Sequence, residues 1–294
     1  MGFRGKYLVN ENVIYYNKIV SFVENKIIMP TRPLLLNFSG AGTRFALETG
    51  AEVLDLSSLE GTNCYCDPDS EERIRGLLRK VAFPSGMGET AYPVRWIDTG
   101  DYHYLSCIIA GESRRPFDLL LLDNHPDMQE PALGDILSCG DWVKTMLDRN
   151  PMLGNVGIIG IDGSLKECTS GYGRRVRVVT REEIGDSTGE KLEGIVREII
   201  SFDTFDNDIY LSIDKDVLDC EIYKTDWSQG TMALHQLETV LETVFSMRRV
   251  SGVDVCGGLP ASKGGVDPEI NLKTDVKLWE IIDNLLKKQY LCSV

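Results

Sequence analysis

Short apolar runs alternate with longer amphipathic stretches along most of this chain. Runs without polar interruption are typical of strands buried on both faces of a parallel sheet, and the stretches between them show helical spacing. The strands are predicted at 34–38, 52–56, 94–97, 117–122, 156–161, 176–179, 209–213 and 250–255. The helices are predicted at 70–81, 102–110, 136–147, 189–201, 234–247 and 272–288. This order predicts an α/β fold with three layers, α/β/α, around a central and mainly parallel sheet.

No internal repeat and no Pro- or Ser-rich linker interrupts the alternation. The 294 residues, 43% of them hydrophobic, are enough to bury one large core, so we expect a single domain over residues 1–294. No apolar run approaches the ~20 residues that a membrane-spanning helix needs, and the beginning of the chain lacks a signal-peptide pattern. We therefore expect a soluble, cytoplasmic protein with no membrane partner.

Composition narrows the range of partners. The net charge of −14 and the pI near 4.7 argue against nucleic acid, because phosphate binding requires clustered basic side chains. The eight cysteines are scattered through the chain, unlike the dense framework of a small secreted domain, so we expect reduced thiols. Cys64 and Cys66 are too close for the CxxC spacing of a zinc or redox site and are interpreted as loop thiols.

Two of the predicted strands, the fourth and the seventh, end in clusters of metal-ligand side chains. Asp123, His125 and Asp127 follow one of them, and Asp214 and Asp216 follow the other. Side chains two positions apart in an extended segment point the same way, and ligands bind at the carboxyl ends of parallel strands. The two clusters should therefore converge in one pocket. Carboxylates so close together stay ionised only if cations offset their charge, which predicts bound metal ions.

The chain contains three histidines, His103, His125 and His235. His103 is well placed for the same pocket, because it follows the predicted strand 94–97. His235 lies inside a helical pattern and is interpreted as a surface or packing residue. Asp219, the last acid of the stretch LSIDKDVLDC, is expected to stabilise a turn through backbone hydrogen bonds.

One alternative is that these acids simply face solvent at loop tips, since single matches to DxHxD arise by chance. Taken together, however, DNHPD, SIDKDVLD and the glycine-preceded His103 resemble the three metal motifs of the ureohydrolases, the family of arginases, agmatinases and formimidoylglutamases. The family's motifs are GGDH, DxHxD and SxDxDxxDP, in this order, and the resemblance spans roughly residues 93–260. It implies the arginase-like form of the three-layer fold and assembly into a homo-oligomer.

The resemblance also implies a binuclear Mn²⁺ centre. One ion would be bound by His103, Asp123, Asp127 and Asp214, and the other by His125, Asp123, Asp214 and Asp216. Mixed carboxylate and imidazole ligands suit Mn²⁺, and none of the eight cysteines lies within these motifs. In the family, a hydroxide that bridges the ions attacks the guanidinium carbon, and Asp127 would orient it and pass its proton to the leaving nitrogen.

Four positions depart from the family pattern. Cys220 stands where the motif SxDxDxxDP ends in Pro, a change expected to alter only the loop. Tyr102 precedes His103 where the family has Asp, and Asp101 is one position further away. In the stretch GVDVCGGLP, Gly257 stands where arginases carry a Glu that binds the substrate guanidinium. Asp141 is the nearest polar residue to the place where the family has a substrate-side histidine.

A guanidinium without a carboxylate partner binds poorly, because bidentate charge-assisted pairing is both strong and selective. Either another acid substitutes, with Asp141, Glu112 and Glu269 considered, or the substrate differs. We assign Asp127 and Asp141 to catalysis and predict a Mn²⁺-dependent hydrolase of a linear C–N bond in a guanidino or amidino small molecule. The alternative, which Gly257 supports, is a divergent member that retains the metals but acts as a metal- or partner-binding protein without ureohydrolase activity.

Overall fold

The computed structural model describes residues 21–23, 26–28, 32–82, 92–203, 206–260 and 268–292. In chain order the described strands are β1 (Ser21–Val23), β2 (Lys26–Ile28), β3 (Leu34–Asn37), β4 (Glu52–Asp55), β5 (Tyr65–Cys66), β6 (Val94–Ile97), β7 (Phe117–Leu122), β8 (Leu137–Ser138), β9 (Leu153–Ile161), β10 (Val176–Thr180), β11 (Asp208–Asp214) and β12 (Val250–Cys256). Eight strands form one parallel sheet in the order β10-β9-β7-β11-β12-β6-β3-β4. The pairs β1–β2 and β5–β8 are small and antiparallel.

Helices cover both faces of the sheet. They are α1 (Thr43–Thr49), α2 (Pro68–Val81), α3 (Leu105–Ala110), α4 (Trp142–Arg149), α5 (Arg181–Ile184), α6 (Gly189–Ile200), α7 (Leu234–Met247) and α8 (Pro268–Cys292). Leu120 and Leu122 of β7 pack into one apolar cluster with α6, α7 and α8, whereas Leu119 and Leu121 pack into a second with α2, α3 and α4. This alternation along the apolar run Leu119–Leu122 confirms the predicted three-layer arrangement.

Most predicted elements lie within a few residues of the described ones, but one was wrong in type. The segment 136–147 is not a continuous helix, because Leu137–Ser138 pairs with β5 and the helix begins only at Trp142. Ser138 N donates to Asp141 Oδ1 at 3.0 Å, which closes a turn between the two elements. The apolar spacing of the segment resembled a helix because strand and helix residues both face the same core.

The structure also contains elements that the pattern did not predict. The helix α1 buries only Phe45 and therefore lacks the apolar stripe that a periodicity argument needs, while α5 is a single turn. The hairpin of β1 and β2 precedes β3, which the pattern had made the first strand.

The central strands end level with one another. In the β7–β11 ladder Leu122 pairs with Ile213, and in the β11–β12 ladder Asp214 pairs with Cys256. The residues that follow β6, β7, β11 and β12 therefore meet at one edge of the sheet, as expected for its carboxyl end.

Candidate metal centre

His103 lies at the centre of the first half of the site. It follows a short 3₁₀ turn after β6, and its side chain is 2% exposed. Its Nδ1 lies 3.0 Å from Asp127 Oδ2, 3.4 Å from Asp123 Oδ2 and 3.5 Å from Asp214 Oδ2. The other ring nitrogen, Nε2, lies 2.9 Å from Ser212 Oγ. The serine on β11 thus fixes the ring so that Nδ1 faces the three carboxylates.

His125 occupies the equivalent place in the second half. Its Nδ1 lies 2.8 Å from Asp216 Oδ2 and 3.4 Å from Asp123 Oδ1, while its Nε2 lies 2.8 Å from Ser228 Oγ. The two oxygens of Asp123 therefore face different imidazoles, Oδ2 towards His103 and Oδ1 towards His125. The prediction that the two acid clusters converge at one sheet edge is consistent with this geometry.

Backbone N–H groups hold the carboxylates in place. His125 N donates to Asp123 Oδ1 at 2.6 Å, and Asp216 N donates to Asp214 Oδ1 at 2.9 Å. Asn124 N, from the strand end of β7, donates to Asp216 Oδ1 at 3.0 Å. The last of these bonds joins the two sequence motifs directly, and together the three bonds leave the remaining carboxylate oxygens facing the imidazoles.

Asp127 is fixed in a different way. Its backbone is left-handed, with φ +49°, which is uncommon outside glycine. Trp142 Nε1, at the beginning of α4, donates to Asp127 Oδ2 at 2.6 Å, and Val143 N donates to the Asp127 carbonyl at 3.0 Å. The helix thereby holds a strained residue with its carboxylate beside His103.

The electrostatics of the site reflect four buried acids in contact. Burial, followed by the charge of Asp216, raises the pKa of Asp214 to about 6, and burial with the charge of Asp123 raises the pKa of Asp216 to about 7. Burial alone would lower the pKa of His125, but its hydrogen bonds to Asp123 and Asp216 outweigh that effect and raise the pKa to about 11. The cluster thus favours bound positive charge strongly, which protons or metal ions can supply.

The donor set fits two metal ions. Two groups of side chains, His103–Asp123–Asp127 and Asp123–His125–Asp216, place their ligand atoms within 4.8 Å of one another and share Asp123. A third group adds Cys256 to His103 and Asp214. Cys256 is buried, and its Sγ donates to the Thr99 carbonyl at 3.1 Å. The sequence motifs gave no indication of this sulfur, which reaches the site because Cys256 pairs with Asp214 in the sheet.

The backbone of Gly257 packs directly against the predicted metal ligand Asp214. Its φ is +89°, and a Cβ at this position would lie 2.3 Å from Asp214 Oδ1 and 3.0 Å from Lys215 N. Any side chain would therefore strain the backbone and displace a predicted metal ligand. A Glu is excluded from position 257 in this conformation.

The acids considered as substitutes are bonded to other partners. Glu112 forms an ion pair with Arg79 at 3.0 Å, and Glu269 forms one with Arg44 at 2.8 Å. The carboxylate of Asp141 is buried and accepts the bond from the Ser138 backbone described above. A role of Asp141 in catalysis stays a prediction.

The two remaining sequence interpretations concern residues outside the centre. His235 is exposed on α7, and Asp219 Oδ1 accepts a hydrogen bond from Glu221 N at 2.8 Å. Both placements match the surface role and the turn role that the sequence suggested.

The carboxylate of Asp101 is bonded to residues other than His103. Its Oδ1 accepts from Trp227 Nε1 at 3.1 Å and from Cys64 Sγ at 3.5 Å, and its Oδ2 accepts from Asn63 Nδ2 at 3.0 Å. Sequence reasoning did not identify Trp227 or its neighbour Ser228, because the segment TDWSQG lies beyond the motifs and has no ligand-type pattern.

Comparison with known sequences found a matching protein family and a related protein. A family model described as the Arginase family matches residues 100–264, which is more than half of the chain. An uncharacterized protein of Thermotoga maritima is 26% identical over 231 residues, covering 78% of this chain and 81% of that protein.

Solved structures resemble the whole described architecture. Proclavaminate amidino hydrolase from Streptomyces clavuligerus matches with a TM-score of 0.64 and 16% identity, covering 87% of this chain and 92% of that one. Agmatine ureohydrolase of Thermoplasma volcanium matches with a TM-score of 0.65 and 14% identity, covering 90% of this chain and 92% of that one. Formimidoylglutamase from Bacillus subtilis matches with a TM-score of 0.63 and 15% identity, covering 95% of this chain and 97% of that one. These matches confirm the arginase-like fold. None of the helices in the described ranges has the length and apolar content that a membrane crossing needs.

Proposed function

Because the chain belongs to the Arginase family, we propose that it hydrolyses a linear C–N bond in a small guanidino or amidino molecule with the help of two Mn²⁺ ions. The observation that supports this most directly is the placement of Asp123. Its two oxygens lie 3.4 Å from the Nδ1 atoms of His103 and His125, so one carboxylate belongs to two groups of ligands. A shared carboxylate is suited to holding two ions side by side.

The ions would be held by His103, Asp123, Asp127 and Asp214 on one side and by His125, Asp123, Asp214 and Asp216 on the other. Carboxylate and imidazole donors of this kind suit Mn²⁺. When bound, such a pair of ions lowers the pKa of water enough to supply a nucleophile near neutral pH. The backbone bonds to Asp123, Asp214 and Asp216 would keep these carboxylates oriented towards the ions.

Asp127 would transfer the proton. It is the acid whose orientation depends on a side chain of another element, the indole of Trp142, and it lies beside His103. We assign it the task of accepting a proton from the attacking water and passing it to the leaving nitrogen. Asp141 would act by positioning, because it closes the turn that begins α4 and so places Trp142 against Asp127.

Metal loading followed by a substrate screen tests this proposal. The full chain loaded with Mn²⁺ is assayed for urea, ammonia or formamide released from a panel of guanidino and formimino compounds. Turnover is expected, with Asp127→Asn lowering kcat by about 100-fold to 10,000-fold. Asp219→Asn is the matched control, since this acid lies in the same motif but bonds only a neighbouring turn, and it should keep full activity. Two bound ions without turnover of any compound would exclude the substrate class.

A second function is supported by Gly257 alone. Without a carboxylate at this position the chain could retain the metals yet act as a metal- or partner-binding protein. Wild-type inactivity across the panel, with Asp127→Asn unchanged in metal content and thermal stability, would favour this reading. The assembly into a homo-oligomer that the resemblance implies is a separate prediction, which light scattering of the purified protein would check.

A further inference from the structure

Trp227 lies beside the candidate metal centre. Its ring packs edge to face on the His125 ring, with centroids 5.9 Å apart and planes at 72°. It also covers Gly100, where an added Cβ would lie 2.8 Å from the indole Cδ1 and 3.5 Å from Asp214 Oδ2. The glycine therefore lets the indole approach within contact of two ligand-bearing segments. The residue nevertheless remains 38% exposed, so part of the ring is open to a ligand.

The loop that carries this indole is fixed to the metal motifs. Ser228 Oγ lies 2.8 Å from His125 Nε2, and Asn124 Nδ2 donates to the Ser228 carbonyl at 3.0 Å. Gly230 N donates to the Asp216 carbonyl at 2.7 Å. Because these bonds tie the residues that directly follow Trp227 to the metal motifs, the indole is held in place at the edge of the centre and forms a rigid wall.

A carboxylate completes the wall. Trp227 Nε1 donates to Asp101 Oδ1, and among the described residues the other donors to Asp101 are the Asn63 amide and the Cys64 thiol. All three donors are neutral, so they orient the carboxylate without offsetting a negative charge. An aromatic face next to a carboxylate attracts cations, and a flat delocalised cation can stack on the ring while it hydrogen-bonds to the acid.

We propose that Trp227 and Asp101 form a cation-binding subsite at the edge of the metal centre, and that it selects substrates with a guanidinium or amidinium group over their neutral analogues. The subsite takes over the recognition that a carboxylate at position 257 cannot provide, because Gly257 has no room for a side chain. It rests on the proposed function, since it assumes that the reacting group approaches from the side of His125. Asp101 is assigned this task because Glu112, Glu269 and Asp141 are engaged elsewhere.

Paired probes that differ only in charge test the subsite. Calorimetry on the Mn²⁺-loaded full chain compares agmatine with N-carbamoylputrescine, and arginine with citrulline, each pair exchanging a guanidinium for a neutral ureido group. The wild type is expected to bind the cationic member about tenfold more tightly. Trp227→Leu and Asp101→Asn should each reduce this preference several-fold, whereas Trp227→Phe retains an aromatic face and should keep most of it. Tyr290→Leu, which removes an exposed ring from α8, is the matched control.

The outcome separates this proposal from hydrolysis itself. Equal affinity within both pairs, or an unchanged preference in folded Trp227→Leu and Asp101→Asn, overturns the subsite even if the protein turns over substrate. A charge preference that follows Trp227 and Asp101 supports the subsite even if no compound is hydrolysed, in which case the proposed reaction is the part that fails. Circular dichroism and metal content check that each variant is folded and loaded with metal. If Trp227→Leu does not fold, the comparison of Asp101→Asn with Trp227→Phe, which retains the aromatic ring, still tests the subsite.

Discussion

Asp118 and Asp123 lie five positions apart on the same strand segment, yet their charges are balanced in opposite ways. Asp118 is buried against Arg248, with Nη2 to Oδ2 at 2.9 Å, and Asp254 is buried against Arg95 at 2.8 Å. Asp123 belongs to the four-acid cluster described above. In the part of the chain that the structure describes, that cluster has no Lys or Arg partner and forms ion pairs only with His103 and His125.

The comparison shows which charges the fold balances by itself. An acid paired with arginine has its counter-charge within the chain, so its negative charge is balanced as soon as the protein folds. The cluster at the sheet edge depends on protons or on ions from solution for the same purpose. The same substitution, removal of a charge, should therefore have opposite consequences for stability in the two regions.

The largest effect is expected from breaking an internal pair. Arg248→Met would leave the carboxylate of Asp118 buried without its counter-charge and should lower the free energy of unfolding by about 3–5 kcal/mol. Urea denaturation measures the loss. The exposed pair Arg44–Glu269 provides the control, because Arg44→Met should change stability by less than about 1 kcal/mol. Similar losses in both variants would contradict the distinction.

The next effect concerns metal binding rather than folding. Asp123→Asn removes the charge of the shared carboxylate, so affinity for both ions should fall by about 100-fold, equivalent to about 2.7 kcal/mol. Equilibrium dialysis with Mn²⁺ measures this change. Loss of one ion with full retention of the other would show that Asp123 is not shared.

Gly257→Ala should have a smaller effect, which is expected on both the stability of the fold and the affinity for Mn²⁺. The positive φ strains an alanine by about 1 kcal/mol, and its Cβ would press on Asp214 Oδ1. We expect a modest loss of stability together with weaker Mn²⁺ binding. Gly50 also has a positive φ, but the space around it is open. Gly50→Ala should therefore lower stability by a similar amount and leave Mn²⁺ binding unchanged.

The smallest effect is a gain of stability in metal-free protein. The folded pKa of Asp216, about 7, lies above the unfolded value near 3.9, so this acid destabilises the fold progressively as the pH rises from about 4 to 7, and by its full amount above pH 7. Asp216→Asn should therefore stabilise chelated protein by about 1 kcal/mol at pH 8. The gain should be smaller at pH 5, where Asp216 is still protonated in the folded wild type. Thermal melts at the two pH values check the sign, and destabilisation at pH 8 would contradict it.

The sequence predicted what depends on short-range pattern. The apolar run before Asp123 and the spacing of Asp214 and Asp216 were sufficient to place the acids at one sheet edge. Cys256 and Trp227 were not predictable in this way, because one reaches the site through strand pairing and the other through a loop with no ligand pattern. Segment 136–147 was misassigned since its pairing partner, β5, is distant in sequence.

The conformation of Gly257 also constrains how this chain can change over time. A Glu at position 257 would occupy the space of the Asp214 carboxylate, so a single substitution damages the centre before it could improve substrate binding. A lineage could acquire that acid only after the backbone at the end of β12 had moved. Selection for tighter substrate binding would therefore act first on partly exposed positions near the centre, such as Trp227.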